Sequence, residues 1–320
     1  MGQLKVFSNF MLKVKTNIKW IGFFFILVFT AYPIITIVID NKGIVRYLLA
    51  IFYLFGVIYG FLFVKREKMT SFKFIDLNIV FIILGTVIAY ELSNIFSLSI
   101  VVSSSIVGLA GYLISRKHSF AIYTGSFVGM SSQLLFNRIE LFLVAIIAAI
   151  IFQIVKNIFN GFGGRLGTIA FVATATTSLI FNKSGLTAHQ SYDVWLLFLF
   201  SITGVLISWT IHNRFNKSPV IASAVPGLII GIIFGQIFNE LEIYSYIFFT
   251  ATFVGMASNF VVKNIFESLF IGVILSLIFW SFFHFFNGFG GKMGLMAFIS
   301  MLIGKAIIEI GIKTKNLLIK

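Results

Sequence analysis

Apolar residues run along this chain in blocks of bilayer-spanning length, broken by short polar intervals. The blocks cover roughly 20–39, 46–64, 76–95, 97–115, 120–136, 139–158, 166–182, 193–212, 219–239, 243–260, 265–285 and 293–311. A helix of about 20 mostly apolar residues crosses a bilayer, so the pattern predicts an all-α polytopic membrane protein with about 12 transmembrane segments. The intervals are too short to hold a soluble catalytic domain. The first run follows lysines, as a signal peptide does, but it is long enough to span and lacks a small-residue cleavage site. It reads as an uncleaved helix.

Within that pattern one block of sequence occurs twice. Phe159-Asn160-Gly161-Phe162-Gly163-Gly164-Arg165 returns as Phe286-Asn287-Gly288-Phe289-Gly290-Gly291-Lys292. Glu140 and Glu267 precede the two copies at equal distance. Phe127-Val128-Gly129-Met130 with Ser132 and Gln133 matches Phe253-Val254-Gly255-Met256 with Ser258 and Asn259. The offset is 126 before the glutamates and 127 after them. Internal duplication is a habit of transporters and channels. The predicted organisation is an N-terminal two-helix membrane hairpin (1–70), a transmembrane repeat (76–182) and a second repeat (193–311).

Five is an odd number of crossings, so if every segment spans, the second repeat is inverted relative to the first. The charges agree. With both termini cytoplasmic, nineteen Lys and Arg fall inside, including clusters at Lys13-Lys15-Lys19, Lys65-Arg66-Lys68-Lys73 and Lys313-Lys315-Lys320, against five outside. If the Phe-Val-Gly-Met segments were re-entrant instead, the division would be less lopsided. The formal charge of +14 is thereby explained by cytoplasmic loops at a lipid surface, and a nucleic-acid partner is not expected.

Composition narrows the chemistry further. Charged residues make up 11% of the chain and Cys is absent, which excludes disulfides and thiolate chemistry. His118, His189, His212 and His284 are scattered, and no carboxylate sits convincingly at the centre of a span. No catalytic residue, metal site or cofactor is expected, and the chain is not read as an enzyme.

Two constellations remain as candidates. The first is the polar break in an apolar segment, Ser126, Gly129, Ser132 and Gln133, with its counterpart Thr252, Gly255, Ser258 and Asn259. Such breaks at matching places in inverted halves unwind helices at a binding site near the midplane. Small residues packing helix on helix give the plainer account. The second is the Gly loop and a gate: Gly163, Gly164, Arg165, Gly290, Gly291 and Lys292, with Glu140 and Glu267. Glycines let backbone N–H groups converge, and a helix N-terminus with a base beside it attracts an anion. A tight interhelical turn explains the same residues. Inversion would place Glu140 beside Lys292 and Glu267 beside Arg165, as outer and inner locks. Gly227, Gly231 and Gly235 mark a packing seam.

Together these features predict a transporter or channel in the cell membrane for a small anionic, zwitterionic or neutral solute or ion. Its partners are the lipid bilayer and that solute, and a homo-oligomer is compatible with the pattern. An intramembrane enzyme or flippase acting on a lipid-linked substrate, and a non-transporting subunit of a complex, are the alternatives. They would need a one-sided cluster of acids or a docking surface.

Overall fold

A computed structural model describes residues 19–32, 34–36, 39, 44–66, 76–156, 158–186 and 192–318. The clustered bases Lys13, Lys15, Lys68, Lys73 and Lys320 lie outside the described residues. The architecture is all-α. A hairpin of α1 (Lys19–Thr36) and α2 (Ile44–Arg66) is followed by α3 (Asn78–Ile95), α4 (Ile100–Ile114), α5 (Ser119–Gly129), α6 (Arg138–Val155) and α7 (Arg165–Ile180). Then come α8 (Val194–Trp209), α9 (Pro219–Ile232), α10 (Glu242–Gly255), α11 (Ile265–Phe282) and α12 (Lys292–Leu318). Among the described residues seven helices are long and apolar enough to cross a membrane: α1, α3, α6, α11, α12, and α8 and α9 with their π-helical extensions. The chain is a multi-pass helical membrane protein.

Helix ends follow local chemistry. Asn137 and Asn264 cap α6 and α11 by accepting the backbone N–H of Glu140 and of Glu267 at 3.0 and 2.9 Å. Ser99 caps α4, Asp193 caps α8, and Pro219 opens α9 where its missing N–H costs nothing.

Charged contacts fix the relative direction of α3 and α6. Lys156, just past α6, reaches Asp76, just before α3, at 2.9 Å. Arg138 at the start of α6 meets Glu91 near the end of α3 at 2.7 Å. Helices α3 and α6 are therefore antiparallel, and the bundle has an Asp76 end and a Glu140 end. Because Lys156 holds the Asp76 carboxyl below the ordinary carboxylate range, the pair stabilises above the unfolded pKa of about 4. That contribution is lost as pH falls through the lower folded value. The side chains are 41% and 22% exposed, so screening keeps it below about 1 kcal/mol. Asp76→Asn should lower Tm slightly at about pH 7, with the deficit shrinking as pH falls through the lower folded value; a deficit independent of pH would show that the charge is not what matters.

The segment 120–136 differs from the expected helical span. Helix α5 stops at Gly129, 11 residues in and about 16 Å long, half of a bilayer core. It climbs parallel to α3 from the His118–Asn78 hydrogen bond to the level of Tyr90, whose hydroxyl donates to the carbonyl of Phe136 at 2.8 Å. An irregular strip then carries the chain to Arg138 at the Glu140 end. The whole segment thus runs from one end of the bundle to the other rather than turning back. Helix α10 likewise ends at Gly255 after 14 residues, short of the expected 243–260.

Helices at matching places in the sequence repeat pack antiparallel. Along α4 and α9, Gly108 lies by Ala224, Ser105 by Gly227, Val102 by Gly231 and Ser99 by Gly235. The Gly227–Gly231–Gly235 row is the seam the sequence implied. In α7 and α12, Gly164 lies by Phe298, Gly167 by Gly294 and Phe171 by Gly291, so these helices cross near their first turns. The α1–α2 hairpin leans on both halves, with Gly22 against Val155 and Ile158 and Gly56 against Leu302 and Ile303.

Candidate functional site

Both Gly loops dip into the bundle and shape themselves in the same way. Phe159 and Phe286 take φ of 55° and 54°, Gly161 and Gly288 take 76° and 86°, and Gly164 and Gly291 both take 80°. Each basic residue closes its own loop. Arg165 Nη1 donates to the carbonyls of Lys156 and Ile158 and to Asn160 Oδ1. Lys292 Nζ donates to the carbonyls of Phe283 and Phe285 and to Asn287 Oδ1, at 2.8, 3.3 and 2.5 Å. These bonds tie down carbonyls just past the end of the preceding helix, which ends at Val155 and at Phe282. In this respect the loops are the tight turns of the plainer account.

Each loop also meets the broken helix of the other half. Ser132 N–H donates to the carbonyl of Gly288, and Ser258 N–H to the carbonyl of Gly161, both at 3.0 Å. A Cβ on Gly290 would press on the carbonyl oxygen of Phe127 at 2.6 Å, and one on Gly163 would overlap that of Phe253. Only glycine lets a loop lie directly on the carbonyl end of a half-helix. Between the two junctions, Phe127 and Phe253 meet edge-on with ring centroids 5.1 Å apart.

The predicted path residues separate by role. Ser126 is buried, bonded to Ser104 across the α4–α5 seam and to its own backbone. Thr252 bonds back to the carbonyl of Phe249, and its own carbonyl accepts from Ser208. Gly129 and Gly255 let α5 and α10 lie against α3 and α8. These four are packing residues. Ser132, Gln133, Gly291 and Lys292 instead line a cavity of about 550 Å³ at the Glu140 end. Ser258 and Asn259 occupy the matching junction at the Asp76 end.

The proposed locks are corrected by the structure. Glu140 pairs with Lys183 rather than Lys292, and Glu267 pairs with Lys305 at 3.0 Å rather than with Arg165. The two glutamates do sit at opposite ends of the bundle, since α12 runs antiparallel to α7 toward the Asp76 end. Lys292 has all three ammonium hydrogens on oxygens of its own loop, and Arg165 Nη1 is likewise turned into its loop.

The cavity also recruits residues that sequence reasoning passed over: Asn94 from the end of α3, and Glu242 and Tyr246 one turn apart on α10. Asn213 stands to α8 as Asn94 does to α3, in register through the Gly129–Tyr90 and Gly255–Trp209 contacts. At that end, Trp209 Nε1 and Asn213 Nδ2 are buried with no hydrogen-bond partner. The arrangement therefore offers an open cavity beside one junction and buried, unpartnered polar groups beside the other. Among the described residues no group of three or more His, Cys, Asp or Glu could hold a metal ion. No protein-family model matches the chain, and neither a curated protein nor a solved structure does.

Proposed function

We propose that the chain is a membrane transport protein that moves a small anionic, zwitterionic or neutral solute between two inverted five-helix repeats, 76–182 and 193–311. The observation that carries this reading is the reciprocal contact: each half supplies a Gly loop that hydrogen-bonds the broken helix of the other, at opposite ends of the bundle. Two half-helices ending inside the bundle, with irregular backbone lining a cavity that carries a few polar groups, form the kind of site that transporters place between repeats. The antiparallel packing of α4 on α9 and of α7 on α12 supports inversion. The buried, unpartnered groups of Trp209 and Asn213 support a closed end opposite an open one, since a stranded donor is costly unless another conformation hydrates it. The excess of Lys and Arg toward the Asp76 end supports a cytoplasmic Asp76 end and a cavity facing the exterior.

The absence of native Cys makes a direct test simple. In intact cells Ser132→Cys should react with a membrane-impermeant thiol reagent, and Ser258→Cys should react only after the membrane is opened. A solute that slows labelling at Ser132→Cys identifies the substrate. Labelling of both sites from one face, or of neither from either face, would sink the proposal.

A further inference from the structure

Four of the eight acidic residues described, Asp76, Glu91, Glu140 and Glu267, meet a Lys or Arg within 4 Å. Glu242 has none among the described residues. It faces the cavity from the first turn of α10, beside the hydroxyl of Tyr246 on the same helix face. Lys292 lines the same cavity and also lacks a carboxylate partner. Its Nζ makes three hydrogen bonds, all to neutral oxygens, which matches the three donors of an ammonium group and leaves it with no anionic partner. One cavity of about 550 Å³ is thus lined by a carboxyl group and an amino group, each without an oppositely charged partner, that do not touch each other. The backbone N–H groups in the first turn of α12, at Gly291, Lys292 and Met293, add positive potential on the Lys292 side. Met130, Phe283 and Phe289 supply an apolar wall.

We propose that this cavity recognises a zwitterion of the α-amino-acid class. Its ammonium group sits on Glu242, its carboxylate faces Lys292 and the first turn of α12, and its side chain rests against Met130, Phe283 and Phe289. Separated charges of opposite sign favour a ligand that brings both complements at once and disfavour one that brings either alone, because the unmatched wall charge is then desolvated without compensation. The assignment rests on the cavity belonging to a solute path, and it is tested on the ligand as well as on the protein.

The full chain in lipid nanodiscs is heated with three pools: the twenty standard amino acids, their carboxamides, and their N-acetyl derivatives. The amino-acid pool should raise Tm and the other two should not at equal concentration. With the single amino acid that accounts for the shift, Glu242→Gln should weaken binding by about 10- to 100-fold, the value of a hydrogen bond to a charged group. Lys292 is left intact because its substitution would also release the loop, and the carboxamides test its end of the site instead. Equal stabilisation by carboxamides or N-acetyl derivatives, no stabilisation by any pool, or parental affinity in Glu242→Gln overturns the zwitterion. None of these touches the path itself, which stands or falls on the labelling of Ser132→Cys.

Discussion

Lys305→Met is expected to destabilise the protein by about 3 kcal/mol, far more than the loss of any other lysine in the ion pairs. Lys305 lies inside α12 and is 2% exposed, and its Nζ donates to Glu267 Oε2 at 3.0 Å. Removing the ammonium strands a carboxylate that is 12% exposed and keeps only the Lys263 N–H, at 3.2 Å, on the same oxygen. Breaking a buried pair from one side costs about 3–5 kcal/mol because the remaining charge is desolvated without its partner. Glu267→Gln should be at least as damaging, since it leaves the better-buried member alone. The double variant Lys305→Met with Glu267→Gln should recover part of the loss, because a neutral pair no longer carries an orphaned charge. The control is Lys183→Met in the Glu140 pair. Lys183 is 28% exposed and can surrender its contact to water, so its loss should be smaller. Denaturant or thermal unfolding of the four variants decides the matter. Equal losses for Lys183→Met and Lys305→Met would mean that burial does not set the cost.

These two pairs also show what the sequence could and could not convey. Apolar blocks located the long helices well: α3, α6 and α11 begin within two residues of the expected starts. Capping chemistry explains why, since Asn137 and Asn264 stand at the boundaries. Hydropathy carried the expected spans across the two polar breaks, because apolar residues resume at Leu134 and at Phe260. Helices α5 and α10 instead end at Gly129 and Gly255. The missing information is the Gly loop of the other half, distant in sequence, lying on the carbonyl end of each helix. The partner of Glu140 was obscured for a related reason. Ser178 is 127 residues before Lys305, the offset of the repeat, so the first half has a serine where the second has the buried lysine. The cation arrives instead from Lys183, past the end of α7. It is folded back by its N–H on the carbonyl of Ser178 at 2.8 Å and by the Ser178 hydroxyl on its own carbonyl. Equivalent charges from non-equivalent positions are invisible to alignment of the two copies. Of the candidate site, Ser132, Gln133, Gly291 and Lys292 were legible and lie at the cavity, whereas Glu242 gained its meaning only once α10 was seen to open into it.

Gly164→Ala and Gly291→Ala should each prevent recovery of a monodisperse folded protein, the second large effect. Both residues take φ of 80°, where an L side chain costs about 1–2 kcal/mol. Space forbids the change as well. A Cβ on Gly164 would overlap the carbonyl oxygen of Gly294 and come within 2.6 Å of the backbone nitrogen of Phe298. One on Gly291 would overlap the carbonyl oxygen of Gly167 and come within 2.5 Å of the nitrogen of Phe171. The obstacle in each case is helix backbone, which cannot swing aside as a side chain can, so relief requires α7 and α12 to separate. Forcing extra volume into packed structure costs about 1–3 kcal/mol where neighbours can adjust, and here they cannot. Gly311, with nothing within 4 Å of a Cβ, is the matched control on α12, where Ala should be neutral or mildly stabilising. Size-exclusion profiles and Tm of the three Ala variants separate the cases. A Gly164→Ala protein that elutes and melts like Gly311→Ala would show that α7 and α12 are free to part at their crossing. The close fit of the two Gly loops would then describe one conformation among several of similar stability, and movement between the halves would require no help from a solute.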